Sequence, residues 1–582
     1  MRHGRALFIV YIAWIFLPFP VWGIKTLDKK TQLRFTFHME SRKAHVHPRI
    51  HDLRHELEKG SLTRRQFLRY STLLGFSAAA SAHLLQALRP RKAAAAAYGG
   101  KLKVSGILGR IEHPARSKWM APSQLVRNIA EYLTYTDADN ITRPYLLEDW
   151  EASDDLKTWA LHLRKGIFFN NAQEMTADDV VFSMQQWLDS KVGSPMAAVM
   201  GAYLDSSGIE KVDRYHLRLH LTRPELALPE HLFYYPAVIL NHRTFEGDFM
   251  KAPHGTGPFT LDTFEEGNRC VLKKRMNYWQ PGLPFLNELE FVHLGFDAAT
   301  RIQALQKGEV DIADLSGTDE LDTFSMLKAD RHIRIEPVAT ARVNVLRMRV
   351  DREPWHDNRV RRALKLCQYR RKILLLAGMQ EGSVGRDCHV YPGHPEYCRK
   401  PDIPYDPREA RTLLRDAGYA DGLDVTLTIG DDWPDIKNYA EILKQDAAEA
   451  GFRIRIEKIS NKNYRQSFTE IDLGITPWAH RPLGTMALNL AYTANADGTP
   501  TPLNETRWVD EEFSRLLAEA SVTLEVEKRR RIFCRLEDIQ TERGSIGIAW
   551  WQNRWNGVLK NVQGFQSHPS GYLILDRVWV KK

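Results

Sequence analysis

The segment CHVYPGHPEYC places Cys388, His389, His394 and Cys398 within eleven residues, and all four side chains are potential metal or haem ligands. Their spacing matches no closed zinc pattern. The five cysteines (Cys270, Cys367, Cys388, Cys398, Cys534) include no CxxC pair, which argues against a zinc ribbon or a thioredoxin-type centre. In an exported protein the first expectation is a disulfide between Cys388 and Cys398, with free thiols or a metal role as the alternatives. Carboxylates stand in adjacent pairs at Asp154-Asp155, Asp178-Asp179 and Asp431-Asp432. Neighbours on a strand point to opposite faces, and acids at a helix start serve the dipole, so neither arrangement makes an acid–base couple. The chain has no GxSxG elbow, Walker A loop, HExxH or strand-borne GxGxxG. No motif here supports a secreted hydrolase, which is kept as an alternative reading.

The elements that must position these residues belong to a long chain. Its 582 residues, 43% hydrophobic, call for two large lobes or several domains. Apolar alternation predicts strands at 101–108, 159–163, 271–272, 289–292, 425–429, 453–459 and 546–551. Helical spacing marks 126–135, a helix capped near Thr176, one carrying Ile302 and Leu305 up to Gly308, one over 439–450 stopped by Gly451, and the stretch 509–540. Gly255, Gly257 and Pro258 predict a turn, with glycine supplying positive φ. No internal repeat and no low-complexity linker follows residue 97.

The net charge of +9 is local to one end. Residues 1–97 hold 17 Lys+Arg against 5 Asp+Glu, which leaves 64 against 67 for the rest, from totals of 81 and 72. The body thus gives no electrostatic case for nucleic acid. Within 61–97, Arg64-Arg65 and Phe67-Leu68 precede an Ala-rich apolar stretch, the order of an export signal of the twin-arginine (Tat) type, with cleavage expected near 95–97. The apolar run 7–24, interrupted by Pro18 and Pro20, is either a membrane anchor or read-through upstream of a start at Met39; the second is preferred. His45, His47, His51 and His55 include i, i+4 pairs of metal-ligand type, but in a segment expected to be removed.

Three segments in one order carry a family resemblance: HGTGPF at 254–259, the basic-Asn-Tyr-Trp turn ending at Trp279, and QALQKGEVDIAD at 303–314. Together they resemble the signature region of the family 5 extracellular solute-binding proteins, the dipeptide/oligopeptide-type binding subunits of ABC importers. RPYLLEDWEASDD, WALHLRKGIFF, TADDVVFS, PWHDNRVRRAL and YDPREARTLLRDAGY extend the resemblance over 98–580. Asn170-Asn171-Ala172 departs from it, standing where members often have a His-Asp-Gly turn.

The resemblance implies an α/β, two-lobed Venus-flytrap fold of the type II, cluster C-like kind. Lobe I would comprise 98–290 with an extra subdomain at 141–240 and a return at 551–582, and lobe II 291–550. It implies a monomeric, periplasmic, non-enzymatic protein without a cofactor, working with ABC permease and ATPase subunits on a peptide, modified peptide, or anionic or polyol solute. Peptide-binding relatives carry an Asp three residues after a tryptophan at the ligand's amino end. Here Trp478 is that tryptophan and Arg481 stands at the Asp position, with His480 beside it. The arginine expected for a ligand carboxylate falls near Gly430, which Asp431 and Asp432 follow. Trp433, Trp478 and Trp551 are candidate stacking walls.

Overall fold

The computed structural model describes residues 99–118, 120–315, 321–495, 498–501 and 503–581. Arg64, Arg65, the run 7–24 and the histidines at 45–55 lie outside these residues.

Among the described residues the main sheet has eleven strands. In spatial order they are Phe452–Ile459, Leu423–Gly430, Leu473–Trp478, Ile333–Met348, Ile546–Leu559, Ile312–Asp314, Lys101–Gly106, Glu288–His293, Arg269–Lys274 and Phe259–Glu265; Gly382–Val384 pairs onto Ile546–Leu559. Lys101–Gly106 and Glu288–His293 are parallel neighbours, as are Leu423–Gly430 and Phe452–Ile459. Parallel neighbours need crossover connections, and helices such as Pro434–Ala448 supply them.

Two long antiparallel strands, Ile333–Met348 and Ile546–Leu559, run through both halves of this sheet, and their register slips between Ala339 and Arg342. The slip is where the cores part. Ile302, Leu305, Phe324 and Ile333 pack with Trp555 on one side, and Ala341, Val343 and Trp551 pack together on the other. Beyond the expected crossing at 290–291, Ile312 pairs with Val104 and shares a core cluster with Phe291, while helices Ala298–Gln306 and Leu321–Ala329 pack in the cluster of Trp555.

A separate four-stranded sheet takes the order Leu147–Ala152, Thr158–Leu163, His216–His220, Ile209–Lys211. Alternation sends Trp159, Leu161, Leu217 and Leu219 into the core that also holds Val180, Met184 and Trp187 of helix Ala177–Leu188. His216, Arg218 and His220 take the opposite face.

Two predicted helices change. The segment 126–135 is not helical; the helix is Met120–Val126, and the chain then turns into strand Thr134–Thr136. The carbonyls of Asn128 and Ile129 are taken by N–H groups of Phe259 (3.0 Å) and Gly257 (2.8 Å). A Cβ on Gly255 or Gly257 would lie 2.0 or 2.6 Å from the Ile129 oxygen. Close backbone approach, not positive φ, therefore demands glycine at both positions. The stretch 509–540 is two helices, Glu511–Ser521 and Val526–Arg543. Lys365 donates to the carbonyl of Thr541 (2.8 Å) and Arg361 to that of Arg543 (2.9 Å), satisfying the open end of the second helix.

The expected Cys388-to-Cys398 bridge is also corrected: Cys398 is bonded to Cys534 on helix Val526–Arg543, and Cys388 is a buried thiol. One turn along that helix, Glu537 Oε1 accepts the Cys398 N–H at 2.8 Å and fastens the loop where Cys534 can reach it. Cys388 instead packs with the apolar cluster of Phe533 and Leu536.

Candidate functional site

The loop after strand Leu473–Trp478 joins the two sets of cores. Leu483 is buried in the first lobe's core, whereas Leu488 and Ala491 of helix Gly484–Ala491 belong to the second. Arg481 sits in this loop, half-buried. His394 Nε2–H donates to its carbonyl at 2.9 Å and His394 Nδ1 accepts the Tyr391 N–H at 3.0 Å, so the backbone that carries Arg481 is pinned. His480 Nδ1 accepts the N–H of Ala341 at 3.0 Å, tying the loop to the slip in the long strands.

The Arg481 guanidinium donates to the His480 carbonyl at 3.1 Å, and among the described residues it has no carboxylate partner. Its charge acts on His231 and Tyr235 of the first lobe and on His389 and His480 of the second. Burial holds these imidazoles neutral, with the neighbouring cations reinforcing it. His231 and His389 fall to about 3, and His480 lies well below its ordinary value. His568, stacked on Tyr572 and donating to the Thr136 carbonyl, falls to about 4. Asn140 Nδ2 crosses to the Gly393 carbonyl at 3.2 Å. A guanidinium among neutral rings and a phenol can receive an anion through paired hydrogen bonds.

The predicted residues divide into two groups. Trp478, His480, Arg481 and Trp551 come together: His389 lies edge-on to Trp478 at 5.1 Å and tilted to Trp551 at 6.0 Å. Trp478 is also committed elsewhere, since its Nε1–H donates to Glu505 at 2.8 Å and Glu505 pairs with the buried Arg347 at 2.7 Å. Asp431, Asp432 and Trp433 stand apart. Both carboxylates are exposed, Asp431 accepts the Asn461 N–H at 3.1 Å, and Trp433 precedes helix Pro434–Ala448 with its ring edge-on to Tyr464 at 5.5 Å. No hydrogen bond, ion pair or ring contact among the described residues joins them to Arg481.

Nothing local in the sequence points to His231, Tyr235 or His568. The first two sit in a short apolar segment and the third in the C-terminal return, and only long-range folding brings them to the loop. Within CHVYPGHPEYC, the Nδ1 atoms of His389 and His394 are both engaged and Cys398 is bridged, so the segment is a structural brace. The Asn-Tyr-Trp turn has a similar part. Tyr278, Tyr145 and Trp279 donate to the buried Glu131 at 2.5, 2.9 and 2.8 Å, and burial pushes that carboxyl up to about 7.

The family model described as bacterial extracellular solute-binding proteins, family 5 middle, matches residues 142–499. Di/tripeptide-binding protein 1 of Pseudomonas aeruginosa is 27% identical over 470 residues, covering 74% of this chain and 84% of that protein. Heme-binding protein A of Haemophilus influenzae is 26% identical over 495 residues, covering 78% and 87%. Among solved structures, HbpA2 from Haemophilus parasuis superposes with a TM-score of 0.74 at 20% identity over 83% of this chain and 100% of that one. The periplasmic binding protein DppA from Helicobacter pylori, in complex with the peptide STSA, gives 0.65 at 20% over 83% and 100%. These likenesses show the two-lobed, mixed α/β fold.

Proposed function

This chain belongs to family 5 of the bacterial extracellular solute-binding proteins, the substrate-binding components of ABC transporters, and we propose that the solute it captures carries an anionic or hydroxyl-rich group that docks on Arg481. One observation supports the reading: a half-buried guanidinium, on a loop that links two hydrophobic cores, without a carboxylate partner among the described residues. A carboxylate or phosphate is the natural complement of such a fork, while a free peptide amine would meet a like charge in a partly desolvated site. The di/tripeptide relatives make ordinary peptides the competing solutes.

Calorimetric titration of wild type and Arg481→Asp against free-amine di- to pentapeptides, their N-acetylated forms, and anionic or sugar-like solutes separates the two. The expected result is selective binding of anionic or amine-free solutes that Arg481→Asp weakens at least tenfold. Tight binding of free-amine peptides, unchanged in Arg481→Asp, overturns the reading.

The same proposal places the working protein outside the cytoplasm, exported through the Tat route by the Arg64-Arg65 pair. Arg64→Lys with Arg65→Lys is expected to leave precursor in the cytoplasm on a fractionation blot. Normal periplasmic levels of that double variant count against this route.

A further inference from the structure

The outward face of the four-stranded sheet carries a row of side chains that solute capture does not use. In register across three strands, Asp149 lies opposite His162 and His162 opposite His216. Directly opposed residues on one face of an antiparallel pair have Cβ atoms about 4.5–5.5 Å apart. The two imidazole rings follow suit, with centroids 5.0 Å apart and planes at 82°. Their side chains are 31% and 41% exposed, so an ion can approach from solvent.

Each ring is held at the same atom by its own carboxylate. His162 Nδ1 pairs with Asp149 Oδ1, and His216 Nδ1 pairs with Asp213 Oδ2 at 2.7 Å. Asp213 is itself fixed, since Oδ1 accepts the N–H groups of Tyr215 (2.8 Å) and His216 (3.0 Å). Nδ1–H donation to a carboxylate leaves the lone pair of a neutral imidazole on Nε2, which is the outer-shell arrangement of metal-binding histidines. Both Nε2 atoms are without a hydrogen-bond partner among the described residues. The next pair along the ladder, Arg218 with Glu210, is a matched ion pair, and Arg214 is matched by Glu174. Asp149 and Asp213 therefore set the local charge, in favour of a cation.

We propose that Nε2 of His162 and Nε2 of His216 together hold one divalent transition cation of the zinc, nickel or copper(II) class, with the remaining coordination positions open to water. Imidazole suits these metals, and metal–nitrogen bonds of about 2.0–2.1 Å place two ligating nitrogens roughly 3–4 Å apart, within reach of rings spaced as these are. Among the described residues no group of three or more His, Cys, Asp and Glu side chains is arranged to hold a metal ion. The site is accordingly an open two-histidine chelate and not a closed structural centre.

The test uses the chain without an affinity tag, with His45, His47, His51 and His55 changed to Gln so that they do not compete, stripped with a chelator and titrated with zinc chloride. One saturable equivalent is expected. His162→Gln and His216→Gln should each weaken it at least tenfold, and Asp149→Asn by roughly tenfold through the lost outer-shell bond. His220→Gln, on the same face but paired with Glu210, should leave it unchanged. Far-UV circular dichroism checks the fold of each variant. Copper(II) provides a second readout, its spin-resonance spectrum showing two nitrogen couplings in wild type and one in His216→Gln. Absence of saturable zinc binding, or equal losses in His220→Gln and His162→Gln, overturns the proposal.

Discussion

Ala172 holds its backbone at φ +64°, in the left-handed region, with its N–H donating to the Phe169 carbonyl at 3.0 Å. Its turn is fixed from outside, because Asn170 N–H donates to the Gly255 carbonyl at 2.9 Å, so the strain has no easy outlet. A residue with a Cβ pays about 1–2 kcal/mol for this conformation. Glycine avoids that cost but gives back about 0.4–1 kcal/mol through the greater freedom of its unfolded chain. Ala172→Gly is therefore expected to stabilise the protein by roughly 0.5–1 kcal/mol. A higher urea midpoint at unchanged slope is the readout; an unchanged or lower midpoint shows that the turn carries no such strain. The departure Asn170-Asn171-Ala172 was visible in the sequence, but its consequence is not, because the turn is held by the carbonyl of Gly255, in a loop far away in the chain.

At the scale of elements, what could be read in the sequence was what local pattern decides. Lys101–Gly106, Thr158–Leu163, Leu423–Gly430 and Phe452–Ile459 follow their alternation, and Gly308 (φ +71°) and Gly451 (φ +103°) end helices as a glycine stop should. Failures share one cause, a distant partner outbidding local preference. The 126–135 segment has helical spacing, yet the glycines at 255 and 257 bring a strand against it and take its carbonyls. Cys388 and Cys398 are near in sequence, yet Glu537 aligns Cys398 with a helix that begins more than a hundred residues later. The candidate site divides the same way. Arg481, His480 and Trp478 were found because they sit on one loop, while His231 and Tyr235 reach it from one other part of the fold and His568 from a second, and left no local mark. Arg361 and Lys365 show the converse: the pattern RVRRALK was recognisable as a motif, but its purpose, closing the end of helix Val526–Arg543, needed the partner helix in view.

For the whole molecule, the buried ionisable groups predict how stability depends on pH. Glu131 and Glu230 are raised to about 7 and Glu537 to about 8, in each case chiefly by burial. His231 and His389 are lowered to about 3 and His568 to about 4, again by burial first. A carboxyl with a raised folded pKa binds its proton more tightly when folded. Its contribution is complete below the unfolded value near 4.5 and is lost as pH rises through 7 to 8. A histidine with a lowered folded pKa works in the other direction: its contribution is complete above the unfolded value near 6.5 and is lost as pH falls toward 3 to 4. Between about 4.5 and 6.5 the two sets oppose each other and the slopes largely cancel. Above 6.5 the carboxyls act alone, each with a limiting slope of about 1.4 kcal/mol per pH unit. Stability should therefore hold a broad plateau on the mildly acidic side, decline between pH 6.5 and about 8, where the last of these carboxyls ionises, and decline again below 4.5. Exposed ion pairs such as Arg453 with Asp424 cannot produce the alkaline limb, because neither partner titrates there. Denaturation midpoints measured from pH 4 to 9 check the shape, and Glu131→Gln and Glu537→Gln identify the groups, each flattening the alkaline limb while leaving the acid limb in place. A wild-type profile that stays level to pH 9, or variants with an unaltered alkaline limb, would mean that these carboxyls are ionised in the folded protein, with Tyr278, Trp279 and Tyr145 then serving to solvate a buried anion at Glu131.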